Sequence, residues 1–593
     1  MAFQAPVAEM AATMNRIAGL GEAMASGVFG DLGPETVTAI IEEAGRFAGE
    51  EIAPIDEPGD RIGARLADGK VTTAPGWPAA YRRWREAGWN GLSAAEEFGG
   101  QGLPVVLHAA VQELWNSASA SFATAPMLTS GAAETIARHA SPTLRDRYLP
   151  RLVSGEWMGT MNLTEPGAGS DLSLIRTRAE PAGDGSYRIF GEKIFITYGD
   201  HDLADNIIHL VLARIAGAPA GTAGISLFLV PKRLPAEDGA PGEANDLAVA
   251  RLEVKLGLHG SPTCAMVYGG GGSGAVGWLV GEEHRGLAAM FTMMNLARMT
   301  VGIQGVGVAE RACQDALAYA GQRRQGRAVG ATATSLIIAH PDVQAMLVRM
   351  KALTAAARAI TYACAFAIDM SRAAPEADRQ WWSDRAAVLT PIAKAFATDT
   401  GIEVASLGIQ VHGGMGYIEA TGAAQRLRDA RVFAIYEGTN GIQAIDLVTR
   451  KLKLAGGKAV DLLIGELAGI ADEASRSNRP DLGQTGMRLT AAIADLRATT
   501  GFLVEALAAS RLQEALAGAT AYLRLFALAA GGALLTKGAL AQSGEQAHFT
   551  ALARFFAETM VPETGALRVA ITEGAAALDQ AAAALLATAG TWD

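Results

Sequence analysis

YRIFGEKIFITYG (187–199), NIIHLVLARI (206–215) and GISLFLVPKRL (224–234) decide the fold. In these runs β-branched and aromatic residues recur between Gly, Asp and Pro breaks with a period near two, the mark of strands. The pattern from about 159 to 283 reads as a mostly antiparallel β domain. On both sides the period is helical. PETVTAIIEEAGRFAGEEIA (34–53) opens on Pro34, which suits a first helical turn, and places Val37, Ile40, Ile41, Ala44, Phe47 and Ala48 on one face. Helical pattern runs to about 155, broken at EEFGGQGLP (96–104). It resumes near 286–322, 341–372 and 381–411, and again after 455, with breaks at SNRPDLGQTG (477–486) and GALAQSGEQ (538–546). No fixed-period repeat is present. The chain divides into an N-terminal extension (1–35), an α domain (36–158), a β domain (159–283), an α-helical bundle (284–455) and an additional α domain (456–593). GGGGSG (269–274) reads as a flexible loop, because no strand-to-helix context there suits a phosphate.

Composition narrows the classes. The 593 residues are half hydrophobic and carry 50 basic against 61 acidic side chains, a net charge of −11. That excludes a disordered chain and argues against bulk nucleic-acid binding. Three scattered cysteines, Cys264, Cys313 and Cys364, with no Cys/His cluster, predict no disulfide framework and no metal site, in a reducing cytoplasmic setting. The N-terminus lacks the basic-then-apolar order of a signal peptide. The most apolar late stretch, Leu525 to Thr536, ends at Lys537 well short of the ~20 residues of a membrane span, so a soluble protein is expected.

Four motifs carry candidate chemistry, each beside an ordinary alternative. LTEPGAGSD (163–171) leaves backbone N–H groups free for an anion or a ring edge, or is a plain Gly-rich turn. QVHGGMGY (410–417) permits close backbone approach, or is a helix end followed by a turn. QRRQGR (322–327) offers arginine forks suited to a pyrophosphate, or a solvated helix end. In YEGTNGIQAIDLV (436–448), Thr439 or Asn440 caps a helix. Glu437 just before it either complements the helix dipole or serves as a general base raised in pKa among Phe433, Ile435 and Tyr436.

TEPGAGSD, FIT (195–197), ARMTVG with YAGQRRQG, QVHGGMGY and YEGTNGIQ, in that order, resemble the acyl-CoA dehydrogenases. FQAP near the N-terminus, KLGLHGSPTC (255–264), GWLVGEEHRGLAAMFTMMN (277–295) and the long C-terminal domain resemble the large subgroup that includes 3-methylmercaptopropionyl-CoA dehydrogenases. The resemblance implies an N-terminal α domain, a β-barrel-like middle domain, a four-helix bundle and an additional C-terminal α domain. It also implies FAD and α,β-dehydrogenation of an acyl-CoA. Glu437 matches the base that removes the α-proton while flavin N5 takes the β-hydride, and the Glu437 N–H matches half of an oxyanion hole. Some relatives carry the base just before an arginine of the bundle; here that residue is Ala297, before Arg298.

By the same resemblance Met161, Leu163, Thr164, Gly169 and Ser170 form the flavin loop, and Phe195 and Thr197 lie against the isoalloxazine ring. Arg323 and Gln325 reach the pyrophosphate of the neighbouring subunit. Gln410, Gly413 and Gly414 meet the adenosine side, with Thr439 and Gly441 after the base. Ser170, Asn295, Arg298 and Gly438 match substrate-binding positions. The implied assembly is a homodimer passing electrons to an electron-transfer flavoprotein, with a short acyl thioester favoured, 3-methylmercaptopropionyl-CoA first. Medium- or long-chain acyl-CoA, or direct oxidation by oxygen, are the alternatives. A DNA-binding flavoprotein would need a basic C-terminal domain, and residues 451–593 hold 12 Lys/Arg against 14 Asp/Glu.

Overall fold

A computed structural model describes residues 3–541 and 547–589. Its element order is helices, a β domain, a helical bundle and a further helical domain, as the hydrophobic periods predict. The helix expected over 34–53 runs further. Pro34–Phe47 continues through a π-type turn, Ala48–Ile52, into Ala53–Ile62, and the widened turn falls just before Pro54, which has no N–H to give the ladder. A hairpin, Arg65–Ala67 with Lys70–Thr72, interrupts the helices that follow. Its two-residue loop is Asp68-Gly69, both at positive φ, the turn that matches strand twist.

The β domain contains a closed ring. Tyr187–Thr197 pairs with Ala275–Leu279, which pairs with Ile225–Pro231, then Asn206–Ile215, and Arg178–Pro181 bridges Asn206–Ile215 back to Tyr187–Thr197. Its pairings are antiparallel except that between Arg178–Pro181 and Asn206–Ile215. Outside the ring, Trp157–Asn162 runs parallel to Asn206–Ile215. Ile189, Val211, Phe228 and Val230 fill the interior. The GGGGSG segment is not the flexible loop expected. The Asp246 carboxylate accepts from Gly271 N at 2.7 Å and from Ser273 N and Gly274 N at 3.0 Å, which ties the turn down.

Three long helices, Gly286–Ala320, Pro341–Ala373 and Glu376–His412, and the shorter Asn440–Thr449, packed on the third, form the bundle, and the first two pack on Val105–His139 of the N-terminal part. The first and third cross closely because both present glycine. A Cβ on Gly305 would overlap the Ala397 carbonyl oxygen, and one on Gly401 would lie 2.9 Å from the Gly305 carbonyl oxygen. A fully buried ion cluster joins the other contacts: Arg358 donates to Glu113 at 2.6 Å and to Glu310 at 2.8 Å.

The additional domain packs its helix Ala519–Leu540 on Pro341–Ala373, and its Lys458–Arg476 helix pairs Glu466 with Arg385 of the bundle. The N-terminal segment joins the same core through Met10, Met14, Ile17 and Leu20, and Lys537 Nζ donates to the Ile17 carbonyl at 2.9 Å. The apolar run thought to stop at Lys537 belongs to this 22-residue helix. Ala519–Leu540, with Gly286–Ala320 and Pro341–Ala373, is long and apolar enough to cross a membrane, but 83% of its apolar window is buried against other helices. Core burial accounts for that apolarity. The break at 477–486 holds the short turn Pro480–Leu482, and the next helix begins at Thr485. The break at 538–546 begins later than read, since the helix reaches Leu540, and residues 542–546 lie outside the described residues.

The close crossing is testable. Gly305→Val should destabilise by about 3 kcal/mol in denaturant titration. Gly465→Ala, on an exposed helix face with nothing within 4 Å of its Cβ position, should stabilise by about 0.5–1 kcal/mol.

Candidate functional site

The site is built around a turn that an ordinary residue rarely adopts. Glu437 has φ +57° and Gly438 φ +85°, so the chain makes a left-handed step before the helix Asn440–Thr449. Of the two cap candidates, Thr439 fills the role: its Oγ1 accepts from Ile442 N at 3.1 Å. Two crossing helices hold the turn. Arg298 Nε, on Gly286–Ala320, donates to the Glu437 carbonyl at 3.4 Å. Lys394 Nζ, on Glu376–His412, donates to the Gly438 carbonyl and to Asn440 Oδ1, both at 2.9 Å. Gln443 Nε2 also donates to Gly438 O at 3.2 Å. Asn440 Nδ2 in turn reaches Asp399 Oδ1 at 2.8 Å and Thr398 Oγ1 at 3.0 Å.

Beneath the turn Tyr436 donates its hydroxyl to Gln304 Oε1. Gln304 Nε2 donates to Asn116 Oδ1 at 3.3 Å and Thr124 Oγ1 at 3.1 Å. Gln304, Asn116 and Thr124 are all buried, so this floor is polar and locked.

The charges are balanced close to neutrality. Burial pushes the Glu437 carboxyl up to about 7, against the pull of Arg298 and Lys394. Burial pushes the Lys394 ammonium down to about 7, with Glu437 and Asp399 pulling the other way. Burial also raises Asp399 and lowers Arg298.

Next to the turn lies a cavity of about 330 Å³, lined by Asn295, Arg298, Thr390, Lys451, Arg138 and Phe291. It brings together the expected Asn295 and Arg298.

At the β domain, Met161 lies on the strand Trp157–Asn162, and Leu163 and Thr164 follow it. A buried pair shapes the loop: Lys193 Nζ donates to Leu163 O at 3.0 Å and to Glu165 Oε1 at 2.8 Å. The Glu165 carboxylate also accepts from Arg176 N and Thr177 N. Beyond it Gly169 and Ser170 are exposed, and nothing lies within 4 Å of a Cβ position on Gly167 or Gly169. Phe195 has φ +60° and is 59% exposed. The register slips there, Cys264 facing Ile196 and Met266 facing Lys193, so a bulge turns Phe195 outward beside the loop. A large aromatic held at positive φ and left in the open is strain of the kind found at ligand sites. Thr197 is alongside, its carbonyl held by Thr160 Oγ1 at 2.8 Å.

The remaining predicted positions form a separate group. Arg323 and Gln325 are exposed just past the Gly286–Ala320 helix, and Gln410, Gly413 and Gly414 are exposed at the end of Glu376–His412. Tyr319 stacks on His412, ring centroids 4.4 Å apart, which brings the two sets together. From Arg298 to the end of its helix at Ala320 is about 33 Å at ~1.5 Å per residue. One chain therefore does not unite this group with the Glu437 turn.

Comparison with known proteins gives this arrangement a family. Four profiles match in order: acyl-CoA dehydrogenase N-terminal domain (34–156), middle domain (160–269), C-terminal domain (284–452), and acetyl-CoA dehydrogenase C-terminal like (463–581). The chain is 44% identical over 552 residues to the 3-methylmercaptopropionyl-CoA dehydrogenase of Ruegeria pomeroyi, covering 92% of each. It is 36% identical over 448 residues to a butyryl-CoA dehydrogenase of Syntrophomonas wolfei, covering 74% of this chain and 73% of that one. The chain belongs to the acyl-CoA dehydrogenase family. As a member it is an oxidoreductase acting on the CH–CH bond of an acyl-CoA. In fold, this acyl-CoA dehydrogenase superposes on Caenorhabditis elegans ACDH-11, solved with C11-CoA, with a TM-score of 0.78 over 96% of both chains at 21% identity.

Sequence reasoning missed Lys394, Gln304 and the Lys193–Glu165 pair. A signal for the first existed: Lys394 is the lone charge in LTPIAKAFAT (389–398), an otherwise apolar helical run.

The raised Glu437 pKa has a consequence for stability. Its folded value, about 7, lies above the unfolded carboxyl value, so the native state loses stability as pH rises from about 4.5 to 7. Glu437→Gln mimics the protonated form. In denaturant titrations the variant should match wild type near pH 4 and gain about 3 kcal/mol by pH 8.

Proposed function

We propose that this chain dehydrogenates a short acyl-CoA thioester to its trans-2-enoyl-CoA, with 3-methylmercaptopropionyl-CoA the favoured substrate and Glu437 the base. The observation that carries the reading is the half-buried Glu437 carboxyl, raised to about 7 on a strained turn that shares Arg298 with a cavity also lined by Asn295. A thioester α-carbon is a far weaker acid than a carboxyl, so a base raised toward neutrality narrows the gap. The rest must come from stabilising the developing enolate oxygen. The Glu437 N–H has no acceptor among the described residues, while Arg298 and Lys394 hold the turn's two carbonyls. That amide is the donor we assign to the thioester carbonyl. Ser170 and Gly438 complete the substrate contacts, and the cavity takes the CoA arm.

FAD fits the remaining residues. The open space over Gly167 and Gly169 admits a flat group to the backbone, and exposed Phe195 with Thr197 offers a face beside it. Met161, Leu163, Thr164, Gly169, Ser170, Phe195, Thr197, Thr439 and Gly441 would hold it. When bound, the flavin supplies the acceptor for the β-hydride. Arg323, Gln325, Gln410, Gly413 and Gly414 are also assigned to the cofactor. At about 33 Å along one helix from Arg298 and about 27 Å along the other from Lys394 they serve the site of a second copy, so the working unit is a homodimer. Its electrons pass to an electron-transfer flavoprotein.

The short substrate is supported by the locked floor of Tyr436, Gln304, Asn116 and Thr124. A long chain pushed against it would leave buried polar groups unpaired, at about 1–3 kcal/mol each.

Three outcomes test the reading. Glu437→Gln should keep bound yellow flavin and acyl-CoA affinity, yet lose flavin reduction in rapid mixing by several orders of magnitude. In a kcat/KM panel, 3-methylmercaptopropionyl-CoA and butyryl-CoA should exceed palmitoyl-CoA by about tenfold or more. Light scattering should give a dimer, and a stable monomer with full flavin would contradict the shared site.

A further inference from the structure

Lys394 is the most unusual ionisable group near the site. Its residue has no solvent exposure, no carboxylate lies within ion-pair distance among the described residues, and its ammonium ends on a carbonyl and an amide. Burying a cation without a direct counter-ion is expensive. An apolar residue would fill the same crossing of Gly286–Ala320 and Glu376–His412 without that cost. What a lysine adds is a positive charge behind the Glu437 turn and a bond to the carbonyl next to it.

Resting on the assignment of Glu437 as base, we propose that Lys394 is a positioning residue for that base: its ammonium pins the left-handed turn through the Gly438 carbonyl and sets the pH at which the Glu437 carboxylate becomes available. The groups facing this pair are few. From Gly286–Ala320 comes Arg298, and from Glu376–His412 come Lys394 and Asp399. Asp446, on Asn440–Thr449, and Arg450 just past it face Arg298, Tyr436 faces Glu437, and Arg431 and Arg524 face Asp399 from further out.

Arg298 and Lys394 do different work. Arg298 holds the Glu437 carbonyl and also lines the cavity, so it is open to the substrate. Lys394 does not line that cavity and is bound to the protein alone, so its charge acts on the base whether or not substrate is present. The direction of its effect follows. A cation favours the carboxylate, so with Lys394 charged Glu437 releases its proton at lower pH than it would against a neutral neighbour. Without that charge burial acts with only Arg298 opposed, and the base stays protonated to higher pH. Gln443 donates to the same Gly438 carbonyl but carries no charge, so it separates pinning from electrostatics.

The test uses the flavin-loaded enzyme and two readouts. Infrared difference spectra, taken against Glu437→Gln, follow the protonated carboxyl of Glu437 with pH. Rapid mixing with butyryl-CoA follows the acid limb of flavin reduction. Lys394→Met should move both midpoints alkaline by about one pH unit, so reduction is depressed at pH 6.5 and recovers toward pH 9. Lys394→Arg, whose guanidinium stays charged where the Lys394 ammonium titrates at about 7, should hold the midpoint at or below the wild-type value. Gln443→Leu, which removes a neutral donor from the Gly438 carbonyl, should lower the rate equally across pH without moving the midpoint. If Lys394→Met does not fold, Lys394→Gln, which keeps a donor toward Gly438, makes the same comparison. An infrared midpoint unchanged in the neutral variant, or shifted equally in Lys394→Arg, overturns the proposal. The infrared titration reads the coupling whether or not Glu437 is the base. A Glu437→Gln enzyme that still reduces flavin would defeat the base assignment separately.

Discussion

The structure turns on two adjacent carbonyls in a left-handed step, Glu437 and Gly438, each held by a cation from a different helix. Arg298 and Lys394 can reach them together only because their helices cross at Gly305 and Gly401 with no side chain between. The crossing distance, the strained turn and the direction of the Glu437 side chain are therefore one constraint. The energy that holds Glu437 at positive φ comes from helix packing well outside the site. The same packing strips water from the carboxyl and the ammonium, bringing both near neutrality. A site so arranged is costly to stability and suited to moving a proton.

The β domain answers a different need. A five-strand ring gives a stiff edge, and at that edge a bulge throws Phe195 outward at positive φ beside a loop tied by Lys193 and Glu165. The buried lysine–glutamate pair keeps the loop's outer face, Gly167 to Ser170, free of internal bonds to the ring. The Arg323 and Gly413 group sits a whole helix away from the turn, and it is this separation that supports the proposed sharing of a cofactor site between two chains.

Much of this was readable from residue order. The switch from a helical period to a period of two and back located the β domain, because side-chain direction alternates differently in the two backbones. Thr439 and Asn440 before a helical run gave two cap candidates, of which Thr439 holds the bond, and the five motifs gave the family. The distances between motifs were not readable. Met161 and Phe195 share a ring edge, while Arg298 and Arg323 share a helix and still lie far apart. Lys394 escaped notice because periodicity scores a buried lysine as an interruption, whereas its role comes from which carbonyl it meets. The polar floor under Tyr436 joins residues more than 300 positions apart, and GGGGSG was misread because Asp246, the residue that orders it, stands over 20 positions earlier. Asp68-Gly69, by contrast, was a hairpin signal available in the sequence, passed over within a helical stretch.

The central claim is that Glu437 takes the α-proton of the bound thioester. The direct measurement is exchange of that proton with solvent. Flavin-loaded enzyme is incubated in D2O with an acyl-CoA carrying sulfur in place of the β-carbon, from which no β-hydride can leave, and the thioester is read by mass spectrometry. The account predicts incorporation of a single deuterium at the α-carbon by wild type and none above background by Glu437→Gln. Equal incorporation by both proteins would contradict it.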